Sequence, residues 1–249
     1  MAGGRCMKVG DILAAFDRLP FGALEAIAPG TALVVAPHPD DESLGCGGFI
    51  AEAVRQGRPP VVVIVTDGAG SHPASKAWPR ERLVARRRQE AREAVAELGL
   101  AEDRIVFLGL QDTAAPTEGA DFEKAVDALK TLADRFDCDT VLAPWRHDPH
   151  GDHEAAWFMA CALTHRYPAR RLLAYPVWGL TLPPEQEIEE RPPHGWRLDM
   201  RQHMAAKHRA VAAHVSQRGL LIDDDPDGFI LPVRLLERII RPFEVFIEP

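Results

Sequence analysis

Pro60-Val-Val-Val-Ile-Val-Thr66 is a continuous run of β-branched residues, and Thr31-Ala-Leu-Val-Val-Ala36 is a second apolar run. Two more runs follow at 104–108 and 140–143. Continuous runs of this kind are typical of parallel strands that are covered on both faces. Helical patterns separate them, at 47–56, 81–98, 122–136 and 152–166. The alternation predicts an α/β, Rossmann-like fold, in which a mostly parallel sheet carries helices on both faces.

The pattern is less regular towards both ends of the chain. Residues 172–177 and 243–247 are expected to form strands, and residues 200–215 a helix. Residues 1–30 are expected to form a helical N-terminal extension. The Pro- and Glu-rich stretch 181–194 is expected to be an exposed loop or insertion. Since no internal repeat or linker is evident, we predict a single domain over residues 1–249.

The composition narrows the class of function. The chain has 249 residues and a net charge of −8, from 29 basic and 37 acidic residues, which argues against a general nucleic-acid binder. No apolar run approaches the roughly 18 residues that span a bilayer, and the N-terminus lacks the pattern of a secretory signal. The four cysteines are scattered without a Cys-x-x-Cys pair, which favours a reducing cytoplasm. We expect a small-molecule partner, no nucleic acid and no membrane span, and the sequence is compatible with a homo-oligomer.

The first chemical motif follows a predicted strand and reads His38-Pro-Asp-Asp-Glu42. The spacing of His38 and Asp41 lets an imidazole and a carboxylate converge on one cation. Asp40 lies between them, where a carboxylate can take a proton from water. Glu42 is expected to cap the helix start or to support a ligand.

A nucleotide site is the competing interpretation, because Gly45-Cys-Gly-Gly48 also follows the strand. The dinucleotide fingerprint needs a third glycine where this chain has Ile50. The glycines are better explained by close packing of the helix on the sheet.

The second motif is His147-Asp-Pro-His-Gly-Asp-His153, which follows the predicted strand 140–143. His153 opens a helical pattern, so that a ligand there would sit on a rigid element. His150, in the preceding loop, would reach the same cleft as an acid. Asp152 is expected to hold one imidazole in the correct tautomer.

Both motifs are expected at the carboxyl ends of strands, where open α/β sheets bind their ligands. If the first and fourth predicted strands are neighbours, the motifs meet in one crevice. Two histidines and one aspartate form a three-ligand site that leaves Zn²⁺ an open position for water. The same ligand types accept other divalent metals.

These motifs together resemble those of the PIG-L/LmbE-like deacetylases, a family of zinc-dependent N-acetylglucosaminyl deacetylases. Further stretches similar to this family are Val65-Thr-Asp-Gly-Ala-Gly70, Arg87-Arg-Gln-Glu-Ala91, Phe107-Leu-Gly-Leu-Gln-Asp112 and Lys207-His-Arg-Ala-Val-Ala-Ala-His-Val-Ser-Gln217. The likeness runs from about residue 31 to 217. Gly151 departs from it, since many relatives have proline there.

The resemblance implies a metal-dependent hydrolase that removes an N-acetyl or short N-acyl group from an amino sugar or its conjugate. By motif position it implies His38, Asp41 and His153 as metal ligands and Asp40 as general base. It implies that His150 stabilises the oxyanion or protonates the leaving amine. It also implies that Arg87 and Asp112 face the substrate.

Two other functions compete with this one. A hydratase or lyase on the same scaffold would act on an unsaturated carboxylic acid, whose carboxylates Arg146 or Arg87 would bind. A sugar-binding protein without catalysis is the third hypothesis, and the intact Asp40 and His150 argue against it.

Two later stretches are ambiguous. His214, before Val-Ser-Gln217, is predicted either to support the cleft or to form a helix end with a polar cap. Asp223-Asp-Asp-Pro-Asp-Gly228 imitates the opening of a calcium loop, but Arg234 occupies the position where that loop needs a bidentate glutamate. We therefore interpret it as an acidic surface turn.

Overall fold

The computed structural model describes residues 5–249. Its strands are β1 (Arg5–Lys8), β2 (Thr31–Ala36), β3 (Val61–Thr66), β4 (Ile105–Leu110), β5 (Cys138–Pro144), β6 (Arg171–Tyr175), β7 (Glu187–Glu190), β8 (Gly195–Asp199) and β9 (Phe243–Ile247). Its α-helices are α1 (Val9–Phe16), α2 (Leu24–Ile27), α3 (Asp41–Arg55), α4 (Arg80–Glu97), α5 (Gly119–Arg135), α6 (Gly151–Arg166), α7 (Met204–Ala213) and α8 (Val233–Ile239).

Seven strands form the central sheet, in the order β4-β3-β2-β5-β6-β9-β8. The five strands from β4 to β6 run parallel, and β9 is antiparallel to both of its neighbours, β6 and β8. From β2 the chain moves outward through β3 to β4, and then returns to place β5 on the other side of β2. The order therefore reverses between β2 and β5, which is the switch point where such sheets bind ligands. The structure confirms the predicted α/β fold.

The sheet is covered on both faces because side chains alternate along each strand. Val34 and Val62 point into one core with α3, α4 and α7. Leu33, Val35 and Val63 point into the other core with α1, α5 and α6. Burial on both faces explains why β2 and β3 appear in the sequence as unbroken apolar runs.

Helix α3 begins at Asp41, six residues before the predicted start, so the first motif runs directly into the helix. Its glycines allow the close packing that the sequence predicts. A Cβ on Gly45 would lie 2.2 Å from Cδ2 of Tyr175, and one on Gly48 would lie 2.7 Å from Sδ of Met200. No side chain larger than hydrogen fits at these two positions.

Two expectations for the chain's periphery need correction. The described part of 1–30 contains strand β1 before the helices α1 and α2, and residues 1–4 lie outside the described range. The stretch 181–194, predicted as a loop, contains β7, which pairs antiparallel with β1 and places Glu190 opposite Arg5. Strand β8 was also missed. The short ribbon of β1 and β7 is charged and mostly exposed, so its sequence resembles that of a loop.

Within residues 5–249, no helix is both long enough and apolar enough to cross a bilayer.

Candidate metal centre and its cleft

The two motifs lie side by side because β2 and β5 are adjacent and parallel. The first motif follows β2 and leads into α3, and the second follows β5 and leads into α6. Parallel strands end at the same edge of the sheet, so both loops reach one crevice. The sequence predicted this crevice only on the condition that the two strands were neighbours.

His38, Asp41 and His153 converge on one point. Oδ2 of Asp41 lies 3.1 Å from Nδ1 of His38 and 3.2 Å from Nε2 of His153. All three side chains are buried. Oδ2 of Asp41 also accepts a hydrogen bond from the backbone N–H of His38, at 3.0 Å, which fixes the carboxylate against the loop.

Asp148 orients His153. Its carboxylate accepts from Nδ1 of His153 at 3.0 Å, and it also accepts from the backbone N–H groups of Val177, Trp178 and Gly179. In the neutral ring of His153 the proton therefore sits on Nδ1, which leaves the lone pair of Nε2 for a metal ion at the centre. The sequence analysis missed this role of Asp148. The residue's place within the second motif was the available signal.

The donor set fits a divalent metal ion. Nε2 of His153 is buried and has no hydrogen-bond partner among residues 5–249, although Oδ2 of Asp41 lies 3.2 Å away, within ion-pair distance. Burial lowers the pKa of His153, but the charge of Asp41 and the hydrogen bond to Asp148 outweigh it and raise the pKa to about 9. A pocket that favours protonated imidazoles also favours a cation in place of those protons.

His38 also faces carboxylates on its other side. Its Nε2 lies 3.0 Å from Oδ2 of Asp152 and 3.3 Å from Oδ1 of Asp112. Burial lowers the pKa of His38, and the hydrogen bonds to Asp112, Asp152 and Asp41 raise it well above its ordinary value. Asp152 contacts an imidazole as predicted, and it also accepts from the N–H groups of Thr113 and Ala115, at 2.7 and 2.9 Å.

Asp40 lines the cleft beside this centre. Burial, opposed by the charge of Arg87, raises the pKa of Asp40 to about 6. Its backbone has φ 155°, a conformation that costs energy in a residue other than glycine and that recurs at functional sites. Glu42 supports the turn by accepting from the Asp40 N–H at 2.9 Å. His214 lies directly after α7, and its Nε2 lies 3.1 Å from Oε1 of Glu42. Its role in supporting the cleft stays a prediction.

Arg87 lies behind Asp40 and is tied to the protein on several sides. Its guanidinium donates to the carbonyls of Gly68 and Pro39, at 2.7 and 2.9 Å, and to Oδ2 of Asp40 at 3.1 Å. Gly68 has φ 72°, and a Cβ there would lie 2.8 Å from Nη1 of Arg87. The side chain lines the cleft but is almost fully buried, which suits holding Asp40 in place.

His150 also lines the cleft, with its ring centroid 4.6 Å from that of His38. One ring nitrogen each of His38, His150 and His153 lies within 4.8 Å of the others, so His150 adjoins the candidate metal centre. Its Nδ1 accepts from the backbone N–H of Asp152 at 3.2 Å and caps α6. Nε2 therefore carries the ring proton and remains a donor. Burial, with the positive charges of His38 and His153, lowers the pKa of His150.

Arg146 lies outside the cleft. The prediction that it binds a substrate carboxylate is therefore not supported by its position. Its guanidinium donates to Oε1 of Glu190 at 2.7 Å and to the carbonyl of Glu189 at 3.0 Å. It faces a separate surface groove with His147 and Glu154. Glu190 belongs to β7 of the β1–β7 ribbon, which the sequence did not predict, and its ion pair with Arg146 holds the guanidinium outside the cleft.

The cleft encloses about 180 Å³. The residues that line it are His38, Asp40, Gly70, Ser71, Arg87, Asp112, Thr113, His150, Trp178, Gln217 and Phe229. Asp112, which is predicted to face the substrate, lines the cleft, and its Oδ2 accepts from the Gly70 N–H at 2.7 Å. Ser71, Trp178 and Phe229 were not singled out, because isolated residues of these types form no motif.

Comparison with known proteins agrees with this geometry. Residues 33–163 match the model of a family described as GlcNAc-PI de-N-acetylase. The chain is similar to a 2'-N-acetylparomamine deacetylase of Streptomyces fradiae, at 32% identity over 140 residues, or 52% of this chain. That match spans half of the Streptomyces protein. It is also similar to a probable N-acetyl-alpha-D-glucosaminyl L-malate deacetylase 2 of Bacillus cereus, at 26% identity over 77% of this chain and 86% of that protein.

Among solved structures, the N,N'-diacetylchitobiose deacetylase of Pyrococcus horikoshii shares the fold. Its TM-score is 0.64 at 22% identity, over 88% of this chain and 84% of that one. The family match covers more than half of the 249 residues and includes both motifs and the strands that carry them. The chain belongs to the GlcNAc-PI de-N-acetylase (PIG-L) family.

Proposed function

We propose that the protein is a metal-dependent N-deacetylase that removes an acetyl or other short acyl group from an amino sugar or its conjugate. The observation that carries this proposal is the convergence of His38, Asp41 and His153 beside Asp40 and His150 in one cleft. The amino-sugar deacetylases among the relatives support the substrate class.

We propose His38, Asp41 and His153 as the metal ligands and zinc as the metal, since two imidazoles and one carboxylate suit it. A zinc ion held there supplies a Lewis acid that polarises the acyl carbonyl and acidifies water. Other divalent ions bind to the same ligand types. Metal analysis of the purified protein therefore tests the proposal of zinc.

Asp40 is the proposed general base. A carboxyl group with a pKa of about 6 is mostly ionised at neutral pH, yet it is more basic than an ordinary aspartate. Arg87 fixes the carboxylate through Oδ2. Asp40 takes a proton from the attacking water and, once protonated, can return it to the nitrogen of the leaving amine, so that the proton count balances.

His150 is the proposed oxyanion donor. Its Nδ1 is occupied by the cap of α6, so the Nε2–H is the donor left for the acyl oxygen as negative charge develops there. Burial and the positive charges of His38 and His153 lower the pKa of His150, which favours the neutral ring beside those imidazoles. Since a neutral imidazole has no spare proton for the leaving amine, we propose the oxyanion role rather than the acid role for His150.

The hydratase hypothesis is less well supported by the cleft. A substrate with several carboxylates needs cationic partners, and the two arginines considered for this role are both engaged. Arg87 is tied to Asp40 and to two carbonyls, and Arg146 is paired with Glu190 outside the cleft. Among the described residues that line the cleft, Arg87 is the only arginine or lysine.

The test is a screen for acetate release across N-acetylated amino sugars and their conjugates, together with metal analysis of the purified protein. We expect about one equivalent of a divalent metal, acetate from at least one amino-sugar substrate, and loss of turnover after chelation. Hydration of an unsaturated dicarboxylic acid without any acetate release would overturn the proposal.

We further propose that residues 1–249 act as one domain, because the central sheet runs from β2 to β9. The cytoplasm is the proposed compartment, since all four cysteines are free thiols. A homo-oligomer stays a prediction, which light scattering of the purified protein would check.

A further inference from the structure

The acidic turn Asp223–Gly228 has a structural task that its likeness to a calcium loop obscures. Two of its carboxylates bind the backbone of the loop 71–78, which lies about 150 residues earlier in the chain. Asp224 and Asp225, together with residues 74–77 that they bind, are called the clasp. Since these carboxylates accept N–H and O–H groups, the turn joins two loops.

Asp224 makes three of these contacts. Oδ2 accepts from the backbone N–H groups of Lys76 and Ala77, both at 2.8 Å, and Oδ1 accepts from Oγ of Ser75 at 2.5 Å. Hydrogen bonds to an ionised acceptor are about twice as strong as neutral ones. The hydroxyl of Ser75 in turn accepts from the Trp78 N–H at 3.0 Å, so the whole turn 75–78 is fixed.

Asp225 holds the same loop one step earlier, where its Oδ2 accepts from the Ala74 N–H at 2.9 Å. Next to this contact, the turn 223–228 and the loop 71–78 pack directly against each other. A Cβ on Gly228 would lie 2.3 Å from Cδ2 of His72, so only glycine fits there. The backbone N–H of Phe229 then donates to the carbonyl of Ser71 at 2.7 Å.

The clasp ends on the cleft. Ser71 and Phe229, which this last hydrogen bond joins, both line the cleft. Trp178 lines it as well and meets Phe229 edge to face, with ring centroids 5.7 Å apart. The Ser71 hydroxyl lies 3.0 Å from Nδ1 of His72, and its oxygen accepts from Nε2 of Gln217 at 3.4 Å. When the hydroxyl donates to Nδ1 of His72, the oxygen keeps one lone pair for a further donor.

This part of the lining therefore combines an aromatic surface with a hydroxyl acceptor. A pyranose ring offers the complementary chemistry, since it has a C–H face and a rim of hydroxyl donors. Pockets for small molecules commonly use this combination of aromatic lining and a few placed polar groups. The metal ligands and Asp40 lie where the acyl amide is proposed to react. The sugar ring must therefore contact another part of the cleft lining.

We propose that Phe229, with Trp178, contacts the apolar face of the substrate's sugar ring, that the Ser71 hydroxyl accepts from a ring hydroxyl, and that Asp224 and Asp225 are positioning residues for this wall. The inference rests on the proposed function for the identity of the substrate as an amino sugar. It assigns a recognition role to residues outside both motifs.

The test compares Phe229→Ala, Asp224→Asn and Asp225→Asn with Asp223→Asn and Asp227→Asn. The last two are matched controls, since Asp223 and Asp227 belong to the same turn, and their side chains make no hydrogen bond or ion pair within residues 5–249. The probe is N-acetylglucosamine. Acetate release gives kcat and KM, and calorimetry on an Asp40→Asn background gives the Kd without turnover.

We expect Phe229→Ala to raise the KM and the Kd about threefold to tenfold, as the loss of one aromatic contact does, with kcat changed less than twofold. The two clasp variants should raise the KM in the same way, and the controls should match the wild type. The metal content should be unchanged in all five variants. A rise in KM without a fall in kcat is a signature that general destabilisation does not produce.

Unchanged KM and Kd in Phe229→Ala would overturn the sugar-binding wall while leaving the proposed function intact. Clasp variants that lower kcat and thermal stability together, with KM unchanged, would show that the clasp is only structural. The opposite pattern is also distinguishable: a protein that binds N-acetylglucosamine through Phe229 but releases acetate from no amino sugar retains the wall and contradicts the proposed function.

Discussion

Helix α3 contributes to two buried clusters of charged side chains, and the two clusters differ in how completely their polar groups are paired. At its N-terminus, ring nitrogens of His38 and His153 lie close to Oδ2 of Asp41, and in the described part of the chain Nε2 of His153 has no hydrogen bond. Near its middle, Glu244 accepts from Nζ of Lys207 and from the N–H groups of Gly48 and Phe49, all at 2.7 Å. The second cluster is saturated by the protein itself, whereas the first retains capacity for something else.

The comparison teaches how a buried charge is to be interpreted. Burial alone marks both clusters, and neither composition nor hydropathy separates them. The clusters differ in the number of polar atoms that lack a hydrogen-bond partner. An unpaired buried polar group costs free energy unless a ligand satisfies it. The first cluster should therefore govern activity and the second stability.

Asp40→Asn should have the largest effect on activity. The amide cannot accept the proton from water, so we expect kcat to fall by about 10²–10⁴-fold. Thermal stability should fall moderately, because the amide keeps the shape but leaves the buried guanidinium of Arg87 without its counter-charge. Acetate-release kinetics and a melting curve measure the two effects. A variant that kept more than a tenth of the wild-type kcat would remove Asp40 from the role of base.

Lys207→Met should show the reverse pattern. It leaves the carboxylate of Glu244 buried without its cation, which typically costs about 3–5 kcal/mol in the free energy of unfolding. Denaturant unfolding measures this loss, and kcat per folded molecule should be unchanged. Lys124→Met is the matched control, since Lys124 and its partner Asp121 are exposed and their pairing adds little. Equal stability of the two variants would contradict the structural role of the Lys207 pair.

His150→Ala should lower kcat by about 10²–10³-fold, the usual cost of removing one oxyanion donor. His147→Ala is a sharp control, because this histidine belongs to the same motif but faces the outer groove and lies 3.3 Å from Glu190. The pair of variants separates the cleft from the adjacent surface, with metal content as the second measurement. Comparable losses in both would mean that the loop as a whole, rather than the His150 ring, supports turnover.

The sequence predicted those features that depend on residues close together in the chain. Strand β2 was placed at its observed limits because an apolar run buried on both faces is unambiguous. His38 and Asp41 were paired by their spacing alone. The neighbouring positions of β2 and β5 remained a condition, since strand order is not encoded locally.

Features that depend on distant partners escaped the sequence analysis. Arg146 was assigned to the substrate because nothing nearby in the chain reveals Glu190, which comes from a ribbon 44 residues later. Phe229 lines the cleft beside the loop 71–78, to which Asp224 and Asp225 hydrogen-bond in the fold without any local signal in the sequence. Its neighbours suggested an acidic surface turn and nothing more. Contacts between loops are set by the fold, so one sequence cannot show them.

The smallest expected effect refines the first cluster itself. Asp148 touches no proposed substrate atom and acts through His153, so Asp148→Asn should weaken metal affinity about 10–100-fold. Most of kcat should return at saturating metal. Chelator competition measures the affinity, and Glu154→Gln, on the exposed side of α6, is the control. If metal affinity stayed unchanged while kcat fell, Asp148 would serve the loop that it caps at Val177–Gly179, and the unpaired Nε2 of His153 would need another explanation.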